Sequence, residues 1–120
     1  MAKIEKLNAI TLATHDMARS VAFYRSIGFD VAKGGETAAF TTLAAGEDAL
    51  NLILAAPDVP LRWWGRVILF VDDVDAMHRA VVDAGYSPDF APSDAPWGER
   101  YFHVTDPDGH EISFARPLSR

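Results

Sequence analysis

ITLATHDMARSVAFYRSIGF, residues 10–29, and VILFVDDVDAMHRAVVDAGY, residues 67–86, are one pattern written twice. A constant offset of 57 residues carries Asp16 onto Asp73, Gly28 onto Gly85 and Phe29 onto Tyr86. Each copy reads as a short apolar strand, an acidic helix start, an amphipathic helix, and then glycine with an aromatic. Such a repeat supplies equivalent positions, whose chemistry shows what each copy has kept. In the first copy Asp16 is the expected N-cap, its carboxylate set to accept from the free amides of the first turn. Met17, Val21, Tyr24 and Arg25 follow at helical spacing, with Phe23 and Ile27 widening the apolar stripe. Gly28 ends the helix, because it takes the left-handed conformation without strain.

Outward from the repeat, each half continues as strands. Residues 7–13, 29–32, 37–43 and 49–55 read as strands of a first β-α-β-β-β module, about residues 4–56. Residues 57–63 are the linker, in a stretch, APDVPL, with two prolines in six residues. The second module, about 64–117, repeats the order: a strand at 66–71, a helix from Asp73 to about Ala84, and strands at 86–90, 100–105 and 111–115. Asp106-Pro107-Asp108-Gly109 has the chemistry of a tight turn between the last two. The expected fold is α+β, with the whole chain as one domain of two tandem modules.

Alternation along the strands sorts their side chains. Val67, Leu69 and Val71, Phe102 and Val104, Ile112 and Phe114, Leu50, Leu52 and Leu54, and Ile10 and Leu12 are assigned to the helix-covered face. The opposite face then presents Arg66, Ile68 and Phe70, Tyr101, His103 and Thr105, Glu111, Ser113 and Ala115, with Asn51, Ile53, Ala9 and Thr11 from the first module. A ligand belongs on that mixed polar and aromatic face.

Bulk composition narrows the function. With 120 residues the chain buries a sizeable core, roughly two-thirds of its unfolded surface. It has no cysteine, which excludes disulfides, CxxC redox pairs and cysteine zinc sites. Eleven basic against 17 acidic residues give a formal charge of −6, which argues against nucleic acid as a partner. MAKIEKLNAI contains no long apolar run, so neither a signal peptide nor a membrane partner is expected, and the expected location is the cytoplasm. No GxGxxG or P-loop pattern is present.

The pieces FYRSIGF (23–29), FVDDVDA (70–76) and PWGERYFHVTDPDGHEISF (96–114) resemble the vicinal oxygen chelate superfamily. That superfamily includes glyoxalases, extradiol dioxygenases, fosfomycin-resistance transferases and bleomycin-resistance proteins. The PWG loop before a DP-x-G hairpin is most similar to the bleomycin-resistance branch. The resemblance covers nearly the whole chain and implies a cupped mixed sheet and a homodimer. Metal-using members take four ligands from four strands, and those positions fall here on Ala9, Asn51, Arg66 and Ser113. Alanine has no donor, arginine carries a fixed positive charge, and Asn and Ser are weak neutral donors. No metal at these positions and no cofactor are therefore expected.

Against that background the expected function is sequestration of a small planar or aromatic molecule. Trp63, Trp64, Phe70, Trp97 and Tyr101 would stack on it, while Asn51, Arg66, His103, Glu111 and Ser113 fix its polar groups. The alternative is an enzyme (a lyase, isomerase, hydrolase, glyoxalase or dioxygenase) using His103 with Glu111 or Tyr101 as acid–base partner and Arg66 as an oxyanion clamp. A metal-assisted version would need His103 and Glu111 as its ligands. His15, His78 and His110 are expected to be solvated. Arg66 has two readings, a clamp for a ligand anion or a structural partner for Glu111 or for an acidic group across a dimer interface.

Overall fold

A computed structural model describes residues 2–119. In chain order they form β1 (Ala9–Thr14), α1 (Met17–Ser26), β2 (Asp30–Lys33), β3 (Phe40–Ala45), β4 (Asp48–Leu54), β5 (Arg66–Phe70), α2 (Val74–Asp83), β6 (Ser93–Asp94), β7 (Glu99–Thr105) and β8 (Glu111–Pro117). The fold is α+β, with β-α-β-β-β occurring twice. The chain divides into two compact units between Val59 and Pro60, inside the stretch read as linker.

The repeated signals form the same local structures. Asp16 and Asp73 both sit at φ −147°, and their carboxylates accept the backbone N–H groups of Arg19 and Ala76 at 3.0 and 2.9 Å. Each helix closes in the left-handed region, Gly28 at φ 110° and Gly85 at φ 93°. The residue after each glycine bonds back five positions, Phe29 N–H to the Tyr24 carbonyl and Tyr86 N–H to the Val81 carbonyl. That closure favours an apolar contact between the two residues it joins. Phe29 meets the Tyr24 ring edge-on at 5.4 Å, which explains why an aromatic follows the glycine.

Each unit builds one four-stranded mixed sheet, ordered β1-β4-β3-β2 in the first and β5-β8-β7-β6 in the second. The first and last strands of a unit run parallel, as a helical crossover requires, and the remaining pairs are antiparallel. One face of each sheet carries the core. Leu12, Leu43, Leu50 and Leu52 are buried in the first unit together with Val21, Phe23 and Tyr24 of α1. Val67, Phe102, Val104, Ile112 and Phe114 are buried in the second with Val74 and Val81 of α2.

Three expectations need correction. Residues 86–90 are not a strand: Pro88, which has no N–H for a ladder, makes only a lone bridge to Val104. The strand that pairs with β7 comes later, at Ser93–Asp94, in what read as loop. Leu54 is 47% exposed. It is the last residue of β4, beyond the final β3 pair Phe40–Ile53, and its N–H bonds the Ala39 carbonyl at the frayed end of the ladder. His110 is only 6% exposed. The carboxylate of Asp106 accepts the N–H groups of Asp108 and His110, which curls the DPDG turn back on itself, and the Trp64 indole donates to His110 Nδ1 at 2.9 Å.

Candidate functional site

In the second unit the ladders set three rows across the uncovered face of β5, β8 and β7. Arg66 lies beside Glu111 and Glu111 beside Thr105; Ile68, Ser113 and His103 form the next row; Phe70, Ala115 and Tyr101 form the third. β6 extends the third row, with Ser93 opposite Tyr101. Because β8 is central and its residues here are short, Ser113 and Ala115 are buried between taller neighbours. Ile68 and Phe70, on the outer strand, stay exposed.

The polar end of this face is a linked set. Arg66 donates from Nε to Glu111 Oε2, and Glu111 Oε1 lies 3.5 Å from His103 Nδ1. Of the two readings of Arg66, the pairing with Glu111 is the one the geometry contains. Burial pushes His103 below the ordinary histidine value; Arg66 adds to the effect, while the charges of Glu111 and Asp89 oppose it. For Glu111 burial acts upward, but the hydrogen bond from Arg66, the charges of His103 and Arg66 and a hydrogen bond from Trp63 outweigh it and hold the carboxyl below its usual range. At neutral pH the pair is therefore a carboxylate beside a neutral imidazole.

The apolar end is a run of rings. Trp97 lies 5.3 Å from Tyr101, Tyr101 lies 5.3 Å from both Phe90 and His103, and Phe90 lies 5.0 Å from His103. Trp97 is largely exposed, its indole N–H directed at Glu99 Oε1 at 3.0 Å. A face of this kind offers stacking surface beside a fixed ion pair and a neutral base or donor.

Trp63, Arg66, Tyr101, His103 and Glu111 thus come together, with Trp97, Phe70 and Ser113 on or beside the same face. Trp64 is turned to His110, behind the hairpin turn. Asn51 belongs to the uncovered face of the first unit, where its amide donates to Thr11 at 3.3 Å. Two residues escaped the sequence reading, Phe90 and Asp89. The N–H of Asp89 bonds the His103 carbonyl at 2.8 Å, and its carboxylate accepts the Thr105 hydroxyl at 3.2 and 3.3 Å. The available signal was Pro88, which ends a ladder but names no partner for the residue after it.

The family's metal positions do not fit a divalent ion. Ala9 contributes a methyl group, Arg66 is a cation committed to Glu111, the Asn51 amide is engaged with Thr11, and Ser113 is sunk between Ile68 and His103. No step is derived through a metal there. A depression of about 430 Å³, lined by Asp72, Asp73, Asp75, Arg100 and Arg116 among others, has part of its charge paired internally. Arg100 binds Asp75 and Asp94, and Arg116 donates to the Asp72 carbonyl.

Comparison with known proteins places this geometry in context. Over 50 residues the chain is 42% identical to an uncharacterized protein of Mycobacterium bovis, covering 42% of this chain and 33% of that protein. An uncharacterized protein of Mycobacterium tuberculosis matches equally over 29% of its length, so the match spans about a third or less of these curated relatives. Among solved structures, a bleomycin-binding protein complexed with bleomycin superposes with a TM-score of 0.76 at 23% identity, covering 94% of this chain and 98% of that one. The bleomycin resistance determinant encoded on transposon Tn5 gives 0.78 at 22% identity, with the same coverage. TioX from Micromonospora sp. ML1 gives 0.74 at 27%, covering 95% of this chain and all of that one (100%). The sequence pattern of one family matches residues 6–114, nearly the full length, and on that ground the chain belongs to the Glyoxalase/Bleomycin resistance protein/Dioxygenase superfamily.

Proposed function

We propose that the chain binds and sequesters a small planar or aromatic molecule on the uncovered face of its second sheet, without making or breaking a bond. The observation that carries this reading is the ring run Trp97, Tyr101, Phe90 next to the Arg66–Glu111 ion pair, on a chain whose family metal positions hold no ligand set. Aromatic surface beside fixed charge suits a flat ligand with a polar edge. A structural relative whose solved form holds bleomycin makes that compound the first probe, and drug resistance the biological role proposed. The working form is proposed to be a cytoplasmic homodimer. No helix among the described residues is long and apolar enough to cross a membrane.

Tryptophan fluorescence titrated with bleomycin, and with other flat compounds, tests the reading. Saturable quenching that weakens in Trp97→Ala is expected. One observation favours a second reading: a neutral His103 beside an ionised Glu111 is the composition of a general base. Absence of binding by any such compound, with turnover that disappears in His103→Ala, would replace sequestration by catalysis.

A further inference from the structure

The second unit holds a donor set that the family's metal positions do not include. Asp89 comes from the segment after α2, His103 from β7 and Glu111 from β8, and one ligand atom from each lies within 4.8 Å of the other two. We propose that Asp89, His103 and Glu111 form a site for a borderline first-row divalent cation of the Zn²⁺ type.

Geometry supports it first. Ligands held at 2.0–2.2 Å from a tetrahedral ion stand roughly 3–3.5 Å apart, so small rotations of three side chains close the site. The backbone already fixes the approach, because the N–H of Asp89 is bonded to the carbonyl of His103. Orientation comes from outer partners, as in established metal sites. The Thr105 hydroxyl holds the Asp89 carboxylate, and Arg66 occupies one oxygen of Glu111 while the other faces His103.

Charge and donor type agree. Two carboxylates against one guanidinium leave a net negative charge, and a neutral imidazole keeps a nitrogen lone pair for the ion. One nitrogen with two oxygens selects a borderline ion over Ca²⁺ or Mg²⁺, which take oxygen. Asp89 is exposed, so the three protein ligands leave a coordination position open to water or to a ligand group. The ladder positions of His103 and Glu111 in the first unit are Thr42 and Ala49, so the repeat does not duplicate this donor set. The site does not depend on sequestration, since none of its ligands is among Trp97, Tyr101 and Phe90, the rings that carry that reading.

Calorimetric titration of the full, tag-free chain with ZnCl₂, after removal of metal by chelator and dialysis, decides the matter. One saturating equivalent is expected. Losing a ligand should weaken binding at least as much as the about 10–100-fold that losing a ligand's outer partner costs. His103→Gln and Asp89→Asn should each show that loss, while His15→Gln and His78→Gln bind as the parent does. No saturable uptake, uptake unchanged in Asp89→Asn and His103→Gln, or uptake abolished by the His15 or His78 variants would overturn the proposal. Melting curves of the metal-free variants check folding; should His103→Gln not fold, the deciding variant is Asp89→Asn, altered at an exposed side chain. Bleomycin quenching measured on the metal-free chain is a separate readout, so failure of either proposal is seen without the other.

Discussion

Ala9, Thr11 and Ala13 of β1 occupy the ladder positions that Arg66, Ile68 and Phe70 occupy on β5. Next to them, Ala49, Asn51 and Ile53 stand where the second unit has Glu111, Ser113 and Ala115; beyond those, Ala44, Thr42 and Phe40 stand where it has Thr105, His103 and Tyr101. Phe40 and Tyr101 are both aromatic, but Arg66, Phe70, His103 and Glu111 correspond to Ala9, Ala13, Thr42 and Ala49, which share none of their chemistry. The covered faces behave differently: leucines in one unit and phenylalanine, valine and isoleucine in the other, all buried, fill the same role beneath a helix with the same cap and the same stop. Duplication has kept what folding needs in both copies and has placed charge, imidazole and rings on one open face. A core position must match its neighbours in volume. A position on an uncovered face meets no such demand and is free to follow a ligand.

The largest expected effect breaks the contrast between the two faces of the second sheet. Phe102→Ala should cost about 3–5 kcal/mol of stability in a denaturant melt, since its ring is fully buried. Tyr101→Ala, one residue earlier on the open face, should cost far less. A similar loss from both would mean that the open face is in fact core.

The caps test the opposite claim, that the two copies are equivalent where folding is concerned. Asp16→Ala and Asp73→Ala should each lower stability by about 1 kcal/mol, because each removes the acceptor for one helix-start amide. Clearly unequal losses would show that the helices contribute differently despite matching geometry.

Ligand binding should separate the open faces of the two units. Trp97→Ala should weaken bleomycin binding roughly two- to tenfold, the scale of one aromatic contact. Phe40→Ala, the aromatic of the first unit's open face, should leave it unchanged in the same fluorescence titration. Equal weakening by both would remove the asymmetry.

The smallest effect lies at the N-terminus of α2. The hydrogen bond from Arg100, with its charge, holds the Asp75 carboxyl below its ordinary value of 3.8 against the opposing effect of burial. A carboxyl lowered on folding stabilises above its unfolded value and ceases to as pH falls through the lowered one. The melting temperature of the parent should therefore exceed that of Asp75→Asn slightly at neutral pH, with the gap closing in acid. Because the pair is only half-buried, the gap should also shrink in high salt.

Much of this was legible in the residues. Asp16 and Asp73 announced the helix starts, Gly28 and Gly85 the stops, and alternation in β5, β7 and β8 sorted covered from uncovered residues, because each signal acts within a few residues of itself. Leu54 and His110 were misplaced for a shared reason. Whether a strand's last residue is covered, or a turn histidine is roofed by Trp64, depends on segments distant in sequence. Asp89 and Phe90 were hidden more deeply: they read as strand, and their partners lie on β7.

What the sequence determined alone is the frame: two β-α-β-β-β modules with their caps and stops. These follow from local periodicity and from the chemistry of single residues. Tertiary structure decided which side chains meet. It committed Arg66 to Glu111 rather than leaving it free, set His103 against that carboxylate, and drew Asp89 in from a segment broken by Pro88. Strand register brings together residues far apart in the chain, and register is a property of the folded ladder as a whole.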